Sequence, residues 1–309
     1  MSRSELAPPR LCQVAICSAD ATTSMQFYAA LLGLRATGSF QVRGPMAARL
    51  FEMTVVQGVN YWMADAQAFF QLEFFEFSQP CRLPAATRTR SGYERLFVAV
   101  ADIDAAVARL QAAGIPVDLA GTVLRDPDGV PVQLVEAEAG GAVGRIIGVR
   151  LVVEDLEDAV DYFHRALGLP LSACQPSATV SCDTPRCALD AGEHWIELVH
   201  RQGVGAVRPL NEPGLMNVAL GVRRPSHFNA LYRRVLREGF SSSTPPVGGG
   251  LSHVVYLRSR AGLSVELLQL PAWMDAIWGF RAPGRLARLA RLLIGGLVGL
   301  SARMARASP

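Results

Sequence analysis

The sequence predicts an α+β protein made of four copies of one strand–helix–three-strand module. An apolar strand opens each copy, a charged residue follows seven positions after the strand begins, and an amphipathic helix then ends at a glycine. The four opening positions are Gln13, Arg95, Gly148 and Asn217. In the last two copies a closing strand carries a glutamate, Glu197 or Glu266, 49 residues after the opening position. Such repetition is typical of a duplicated unit that cannot bury its apolar face alone.

Length and composition limit the classes of protein. A chain of 309 residues, 50% of them hydrophobic, can bury two cores of about 150 residues each. The net charge of +3 is small and is not gathered in one run, which argues against a nucleic-acid partner. Every basic residue is arginine, so Schiff-base and phosphate-loop lysines are excluded. Because the N-terminus lacks a signal-peptide pattern, we expect a cytoplasmic protein.

Each module begins with the same local signals. The residue seven positions after the strand start is expected to cap the helix through its carboxylate, since this position offers free backbone N–H groups. The expected caps are Asp20, Asp102 and Asp155, and Arg224 replaces the acidic residue in the fourth copy. The helices are expected to end at Gly33, Gly114, Gly168 and Gly239. In the first module we expect strands in residues 44–58, 59–65 and 69–77.

The modules are expected to pair in sequence order. The small-residue segment EAEAGGAVG predicts a linker between an N-terminal domain, 1–140, and a C-terminal domain, 141–271. Residues 272–309 fall outside the repeats and predict an amphipathic helical tail with regularly spaced arginines and an apolar run too short to span a bilayer. This tail is expected either to lie on the inner face of a membrane or to pack on the protein or a second subunit.

The motifs together resemble the vicinal oxygen chelate superfamily, also called the glyoxalase/bleomycin resistance/dioxygenase superfamily. The openings V-A-I-x-x-x-D and V-R-L-V-V-E-D, the helix ends A-L-L-G-L and A-L-G-L, the D-P-D-G turn and the closing strands L-E-F-F-E-F and I-E-L carry the resemblance over about residues 11–270. It implies that two modules curl into an open barrel whose opening and closing strands converge on a divalent metal.

The resemblance implies one site in each domain. With sequential pairing, the N-terminal site comprises Gln13, Glu73, Arg95 and Gln133, and the C-terminal site comprises Gly148, Glu197, Asn217 and Glu266. The family's usual ligands are His and Glu, whereas no opening position here is histidine. In the N-terminal site the fixed charge of Arg95 beside Glu73 is expected to replace the metal, so this site is interpreted as a non-catalytic pseudo-site.

Three interpretations remain open for Glu197 and Glu266. In the first, they hold a hard ion such as Mg²⁺ or Mn²⁺ with Asn217, in preference to iron. In the second, they act without metal as a general acid and base. In the third, they have a structural role and are satisfied by hydrogen bonds from neighbouring side chains. Asn217 and His253 are candidate substrate-binding residues, although His253 and Tyr256 cannot both point into the barrel from one regular strand.

The resemblance implies three functions. The first is an isomerase, lyase or cyclase in which Glu266, Glu197 and Tyr256 act on a small hydrophobic, oxygenated or aromatic molecule. The second is a ligand-sequestering resistance protein, which needs only the apolar cavity that the aromatic first module predicts. The third is an extradiol ring-cleaving dioxygenase, because Tyr256, Gly262 and Glu266 have a similar spacing on the final hairpin. Substrate identity and oligomeric state are not predicted.

Overall fold

The computed structural model describes residues 7–65, 67–83, 90–137, 143–172, 184–248 and 251–287. These residues form two mixed β-sheets with helices packed on their outer faces, which confirms the α+β class and the repeated module. The amphipathic helical tail was expected over residues 272–309. Its described part forms one 3-10 turn, Ala272–Met274, followed by turns up to residue 280, and residues 288–309 lie outside the described residues. No helix in the described ranges is long and apolar enough to cross a membrane.

The first sheet has eight strands. In spatial order they are β13 (Ser241–Ser242), β14 (His253–Arg258), β15 (Ser264–Gln269), β12 (Gly214–Val222), β1 (Arg10–Cys17), β4 (Gln71–Gln79), β3 (Gln57–Ala64) and β2 (Arg35–Arg43). The centre is an antiparallel pair, β1 and β12, in which Ala15 lies opposite Asn217. This sheet therefore combines the first module with the fourth.

The second sheet has seven strands. In spatial order they are β10 (Arg186–Asp190), β11 (Trp195–His200), β9 (Arg145–Val153), β5 (Gly92–Val100), β8 (Pro131–Glu136), β7 (Val123–Arg125) and β6 (Leu119–Ala120). Here β5 and β9 form the central antiparallel pair, with Arg95 opposite Arg150. The second module is therefore joined to the third.

The expectation of one barrel per half of the chain is therefore wrong. Residues 1–140 and 141–271 each contribute one module to each sheet, so the two halves are interleaved. The physical reason is that all four opening strands are apolar and present the same free backbone edge. Either pairing satisfies the same hydrogen-bond ladder.

The helices follow the local signals in the sequence. They are α1 (Ala21–Leu32), α2 (Pro45–Leu50), α3 (Ile103–Ala112), α4 (Leu156–Val160, continued by a π-helical turn over Asp161–Ala166) and α5 (Pro225–Arg237). The side chains of Asp20, Asp102 and Asp155 accept backbone N–H groups at the starts of α1, α3 and α4, as expected. Arg224 occupies the same position before α5 without a capping side-chain bond.

One part of the first module differs from the expectation. The structure has strand β2 before Gly44 and helix α2 after it, where the sequence had suggested a strand over residues 44–58. Pro45 suits the first turn of a helix, and the following Met-Ala-Ala-Arg-Leu residues are good helix formers. Local propensity therefore explains α2.

The largest apolar core joins the outer faces of both sheets to their helices. Two smaller apolar clusters lie on the inner, concave face of the eight-stranded sheet. One contains Phe51, Phe75, Phe77 and Tyr256, and the other contains Phe69, Met274 and Phe280. These clusters flank a group of buried polar side chains, which is the subject of the next section.

Candidate functional site

The concave face of the eight-stranded sheet gathers one polar side chain from each of its four central strands. Gln13 lies on β1, Glu73 on β4, Asn217 on β12 and Glu266 on β15, and all four are less than 9% exposed. Alternation along the strands and the cross-strand register place them on one face. Two of these residues were expected in the N-terminal pseudo-site and two in the C-terminal site, so the structure combines half of each.

Glu73 is held by donors from the neighbouring strand β3. Its Oε1 atom accepts the Asn60 amide at 3.0 Å and the Trp62 indole N–H at 2.9 Å. Burial raises the pKa of Glu73 to about 7, although both hydrogen bonds act in the opposite direction by stabilising the carboxylate. Sequence reasoning missed Asn60 and Trp62. The available signal was the period of two along the predicted strand before Glu73, which places Asn60 and Trp62 on one face, next to Glu73 on the neighbouring strand.

Glu266 lies opposite Tyr256 in the β14–β15 pair. Burial and the negative charge of Glu73 together raise its pKa to about 8, while a hydrogen bond with the Tyr256 hydroxyl acts in the opposite direction. The two carboxyl groups are thus close enough to affect each other's ionisation. At neutral pH the pair is expected to hold about one proton, as close carboxyl pairs do.

Two buried polar atoms beside the carboxyl groups have no hydrogen-bond partner within the described part of the chain. They are the Gln13 Oε1 atom and the Asn217 Nδ2 atom. Because unsatisfied buried polar atoms are costly, their presence at one place indicates a position where water, an ion or a ligand atom completes the site. The aromatic cluster of Phe51 and Tyr256, with ring centroids 5.4 Å apart, covers one side of this position.

The equivalent face of the seven-stranded sheet has a different chemistry. Arg150 Nε donates to Glu197 Oε2 at 2.6 Å, and both side chains are less than 5% exposed. Arg95 Nη1 donates to Gln133 Oε1 at 3.0 Å. Gly148 leaves room for the Trp195 indole, since a Cβ atom at this glycine would lie 2.4 Å from the ring. A buried ion pair and an indole therefore occupy this position.

Several predicted site assignments are corrected by this geometry. Glu197 and Glu266 lie in different sheets, so they do not share a metal or an acid–base site. Arg95 does not lie beside Glu73 for the same reason, and the arginine–carboxylate pair in this fold is Arg150–Glu197. His253 lies on the outer face of β14, where its Nδ1 atom contacts Gln269 Oε1 at 2.8 Å and its ring packs near Phe228. It is therefore removed from the substrate-binding set.

Comparison with protein families identifies the repeated unit. A family model described as glyoxalase/bleomycin resistance protein/dioxygenase superfamily matches residues 12–131, and a second model of that superfamily matches residues 145–267. The chain belongs to this superfamily. The vicinal oxygen chelate fold inferred from the sequence is thereby confirmed, and the two matches lie on either side of residue 140.

Solved structures of superfamily members share the fold. Glyoxalase I from Zea mays is 15% identical, with a TM-score of 0.61 over 87% of this chain and 96% of the maize chain. A putative dioxygenase from Bacillus subtilis is 13% identical, with a TM-score of 0.57 over 87% and 90% of the respective chains. Among curated proteins, none matches the sequence. At these identities the likeness shows the fold alone.

The superfamily implies a divalent metal, and the donor set of the eight-stranded sheet can be tested for it. Among the described residues, no group of three or more His, Cys, Asp or Glu side chains is arranged to hold a metal ion. The donors here are instead two carboxyl groups and two amides, including the unpartnered oxygen of Gln13. An all-oxygen set suits a hard ion such as Mg²⁺ or Mn²⁺ and is a poor match for iron, which favours imidazole.

Proposed function

We propose that the concave face of the eight-stranded sheet is the active site of a superfamily enzyme that moves a proton on a small hydrophobic, oxygenated molecule. The observation that carries the proposal is that two buried carboxyl groups, Glu73 and Glu266, lie on one face of the sheet without an ion-pair partner among the described residues. Burial supports it by raising their pKa values to about 7 and about 8, close to neutral pH. General acid–base catalysis is most effective when the pKa of the group lies near the pH of reaction. A purely structural pair of carboxyl groups would have cation partners, as Glu197 has in Arg150.

The surroundings of the two carboxyl groups assign their roles. Glu73 accepts two N–H donors, which favour its ionised form, and therefore acts as the base. The negative charge of Glu73 raises the pKa of Glu266, so Glu266 keeps its proton to higher pH and acts as the acid. Environments that separate two similar groups in this way are typical of catalytic acid–base pairs.

The pair supports an isomerisation in which protons and electrons balance. Glu73 takes the proton from a hydroxyl-bearing carbon next to a carbonyl group, while Glu266 gives its proton to the carbonyl oxygen, which leaves an enediol. Glu73 then returns its proton to the neighbouring carbon, and Glu266 recovers one from the adjacent hydroxyl. Both carboxyl groups end in their starting states, and no oxidant or reductant is consumed.

The remaining polar groups position the substrate. The Asn217 amide N–H and the Gln13 carbonyl oxygen are buried without partners in the described chain, so they can donate to and accept from substrate oxygens. Tyr256 is fully buried beside Glu266 and fixes its orientation. The aromatic rings of Phe51, Phe75 and Phe77 on one side favour a substrate with an apolar or aromatic part.

The same oxygen atoms would hold a hard divalent ion. Glu73, Glu266 and the Gln13 carbonyl oxygen would be its ligands, whereas Asn217 Nδ2 is an N–H donor and would bind a substrate oxygen. When bound, such an ion would polarise a substrate oxygen and lower the proton affinity of nearby groups. Glu266 would then be ionised and would not donate a proton, while the apolar clusters would still exclude water.

Hydrogen–deuterium exchange tests the proposal without knowledge of the natural substrate. 2-Hydroxyacetophenone, an aromatic α-hydroxy ketone, is incubated with the protein in D₂O, and loss of the methylene signal is followed by proton NMR. The wild-type protein should accelerate exchange, with a bell-shaped pH dependence between the two carboxyl pKa values. Glu73→Gln and Glu266→Gln should each reduce the rate at least about 100-fold.

The control is Glu197→Gln, which removes a buried carboxylate from the other sheet and should leave the exchange rate of the folded protein unchanged. Quenching of tryptophan fluorescence by the same ketone measures binding separately. Binding without accelerated exchange, unaffected by Glu266→Gln, would refute the enzyme and support the ligand-sequestering alternative.

A further inference from the structure

A short segment after the last module crosses the candidate site. Residues 271–280, hereafter the closing segment, follow β15 and lie beyond the end of the second family match at residue 267. The segment begins with one turn of 3-10 helix over Ala272–Met274. Met274 and Phe280 are buried with Phe69 in the apolar cluster on one side of the polar group. The closing segment is therefore part of the concave face of the eight-stranded sheet.

The closing segment is anchored by a two-pronged ion pair. Asp275 accepts Arg223 Nη1 at 2.5 Å on one oxygen and Arg223 Nη2 at 3.0 Å on the other. The same guanidinium donates to the Leu270 carbonyl at 3.1 Å and lies 3.5 Å from the centroid of the Phe69 ring. Phe280 packs on the other side of this cluster, with its ring centroid 4.9 Å from that of Phe69. Paired donors of this kind fix geometry as well as position.

From this anchor the closing segment reaches the residue that holds Glu73. The Trp278 ring meets the Trp62 ring edge to face, with centroids 6.2 Å apart. The Gly279 carbonyl accepts the Thr37 hydroxyl at 2.6 Å. In the amide orientation that satisfies both of its polar atoms, Gln71 donates to the Trp278 carbonyl at 2.9 Å. Trp62 in turn donates its indole N–H to Glu73. One continuous set of contacts thus connects the closing segment to Glu73.

A glycine is required where the closing segment passes Trp62. Gly279 has a φ of +83°, a conformation that side chains rarely adopt. A Cβ atom there would lie 2.6 Å from the Trp62 ring. The backbone therefore touches the indole face directly, which leaves no space for water between the closing segment and Trp62.

We propose that the closing segment is a wall of the active site, in which Trp278 is a positioning residue that holds the Trp62 indole in its hydrogen bond with Glu73. This inference rests on the proposed function of Glu73. It assigns a role to a segment that lies outside both family matches. Without the Trp278 ring and the Gly279 backbone against it, the Trp62 indole would be free to turn away, and the Glu73 carboxylate would lose one of its N–H donors.

The test uses full-length protein and the exchange of 2-hydroxyacetophenone, with kcat and KM measured separately. Trp278→Ala should lower kcat at least about 10-fold and change KM less than about twofold, and Trp278→Phe should restore most of kcat. Asp275→Asn removes the charge of the anchor outside the site and should lower kcat in the same way. Trp273→Ala, in the same segment but 59% exposed, is the matched control and should have no effect.

The outcomes separate the two proposals. If the wild-type protein does not accelerate exchange, the proposed acid–base site itself fails. If the wild-type protein accelerates exchange but Trp278→Ala and Asp275→Asn both behave like Trp273→Ala, only the wall is refuted. A change in KM alone in Trp278→Ala would also refute it, because Trp278 would then contact the substrate and not position Glu73.

Discussion

The burial of Glu266 predicts a specific dependence of stability on pH. Its pKa rises from 4.5 in the unfolded chain to about 8 in the folded protein because of burial and the nearby charge of Glu73. A raised carboxyl pKa means that the folded state binds the proton more tightly than the unfolded state. The resulting stabilisation is complete below the unfolded pKa and is lost as the pH rises through the folded pKa.

The magnitude follows from the size of the shift. At about 1.4 kcal/mol per pKa unit, the contribution of Glu266 amounts to about 5 kcal/mol when fully protonated. Water entering as the closing segment loosens would reduce this figure, since hydration stabilises the charged form. Relative to Glu266→Gln, whose amide cannot ionise, the free energy of unfolding of the wild-type protein should fall by about 1 kcal/mol per pH unit between about pH 5 and pH 8.

Urea denaturation of both proteins at four pH values across this range provides the measurement. Glu197→Gln serves as a control for removal of a buried carboxylate, since Glu197 lies in the other sheet and is paired with Arg150. Parallel curves for the wild-type protein and Glu266→Gln would refute the reasoning, because Glu266 would then titrate equally in both states.

Three further predictions concern the rest of the molecule. Arg150→Met should lower the free energy of unfolding in urea titrations by about 3–5 kcal/mol, because it leaves the buried Glu197 carboxylate without its cation. Exchange of 2-hydroxyacetophenone should continue in this variant, and an unchanged free energy of unfolding would contradict the buried pair. Gly148→Ala should cost about 1–3 kcal/mol because the new Cβ collides with Trp195, whereas Gly284→Ala, which meets no atom within 4 Å, should cost little; equal costs would contradict the packing. Millimolar Mg²⁺ or Mn²⁺ should raise the melting temperature at about pH 8 in the wild-type protein and not in Glu266→Gln; a shift retained in the variant would place the ion elsewhere.

The local structure was predictable because its causes are local. Asp20, Asp102 and Asp155 cap their helices through side-chain bonds to backbone N–H groups only two or three residues away. Gly33 ends α1 in the left-handed conformation for the same reason. Alternation also placed Tyr256 and His253 on opposite faces of one strand, as the structure confirms. The family and the modules follow from such short-range signals.

The composition of the site was not predictable, because it depends on which modules pair. Gln13 and Asn217 lie about 200 residues apart in the sequence. Their strands are joined through backbone hydrogen bonds, which any two opening strands could form equally well. The sequence places a carboxylate on the closing strand of modules one, three and four. Only the long-range pairing of β1 with β12 decides that Glu266 meets Glu73. Glu197 meets Arg150 within the third module, through the pairing of β9 with β11.

The closing segment illustrates a second limit. Trp278 belongs to no repeat, so module comparison assigned it to the tail. For the tail the sequence suggested either contact with a membrane or packing on the barrel or on a partner subunit, and the closing segment packs on the barrel. Its position in the site depends on the Arg223–Asp275 pair and on Gly279, whose separate signals are weak in sequence. Additions to a duplicated fold are therefore interpreted only once the surface that they cover is known.

The pKa of Glu266 in Glu73→Gln tests the central claim most directly, because the claim requires that the first and fourth modules bring these two carboxyl groups into one site. Titration of ¹³C-labelled glutamate carboxyl groups should show the pKa of Glu266 falling when the Glu73 charge is removed, while Glu197→Gln leaves it unchanged. A pKa of Glu266 that does not respond to Glu73→Gln, or that responds to Glu197→Gln instead, would contradict the account.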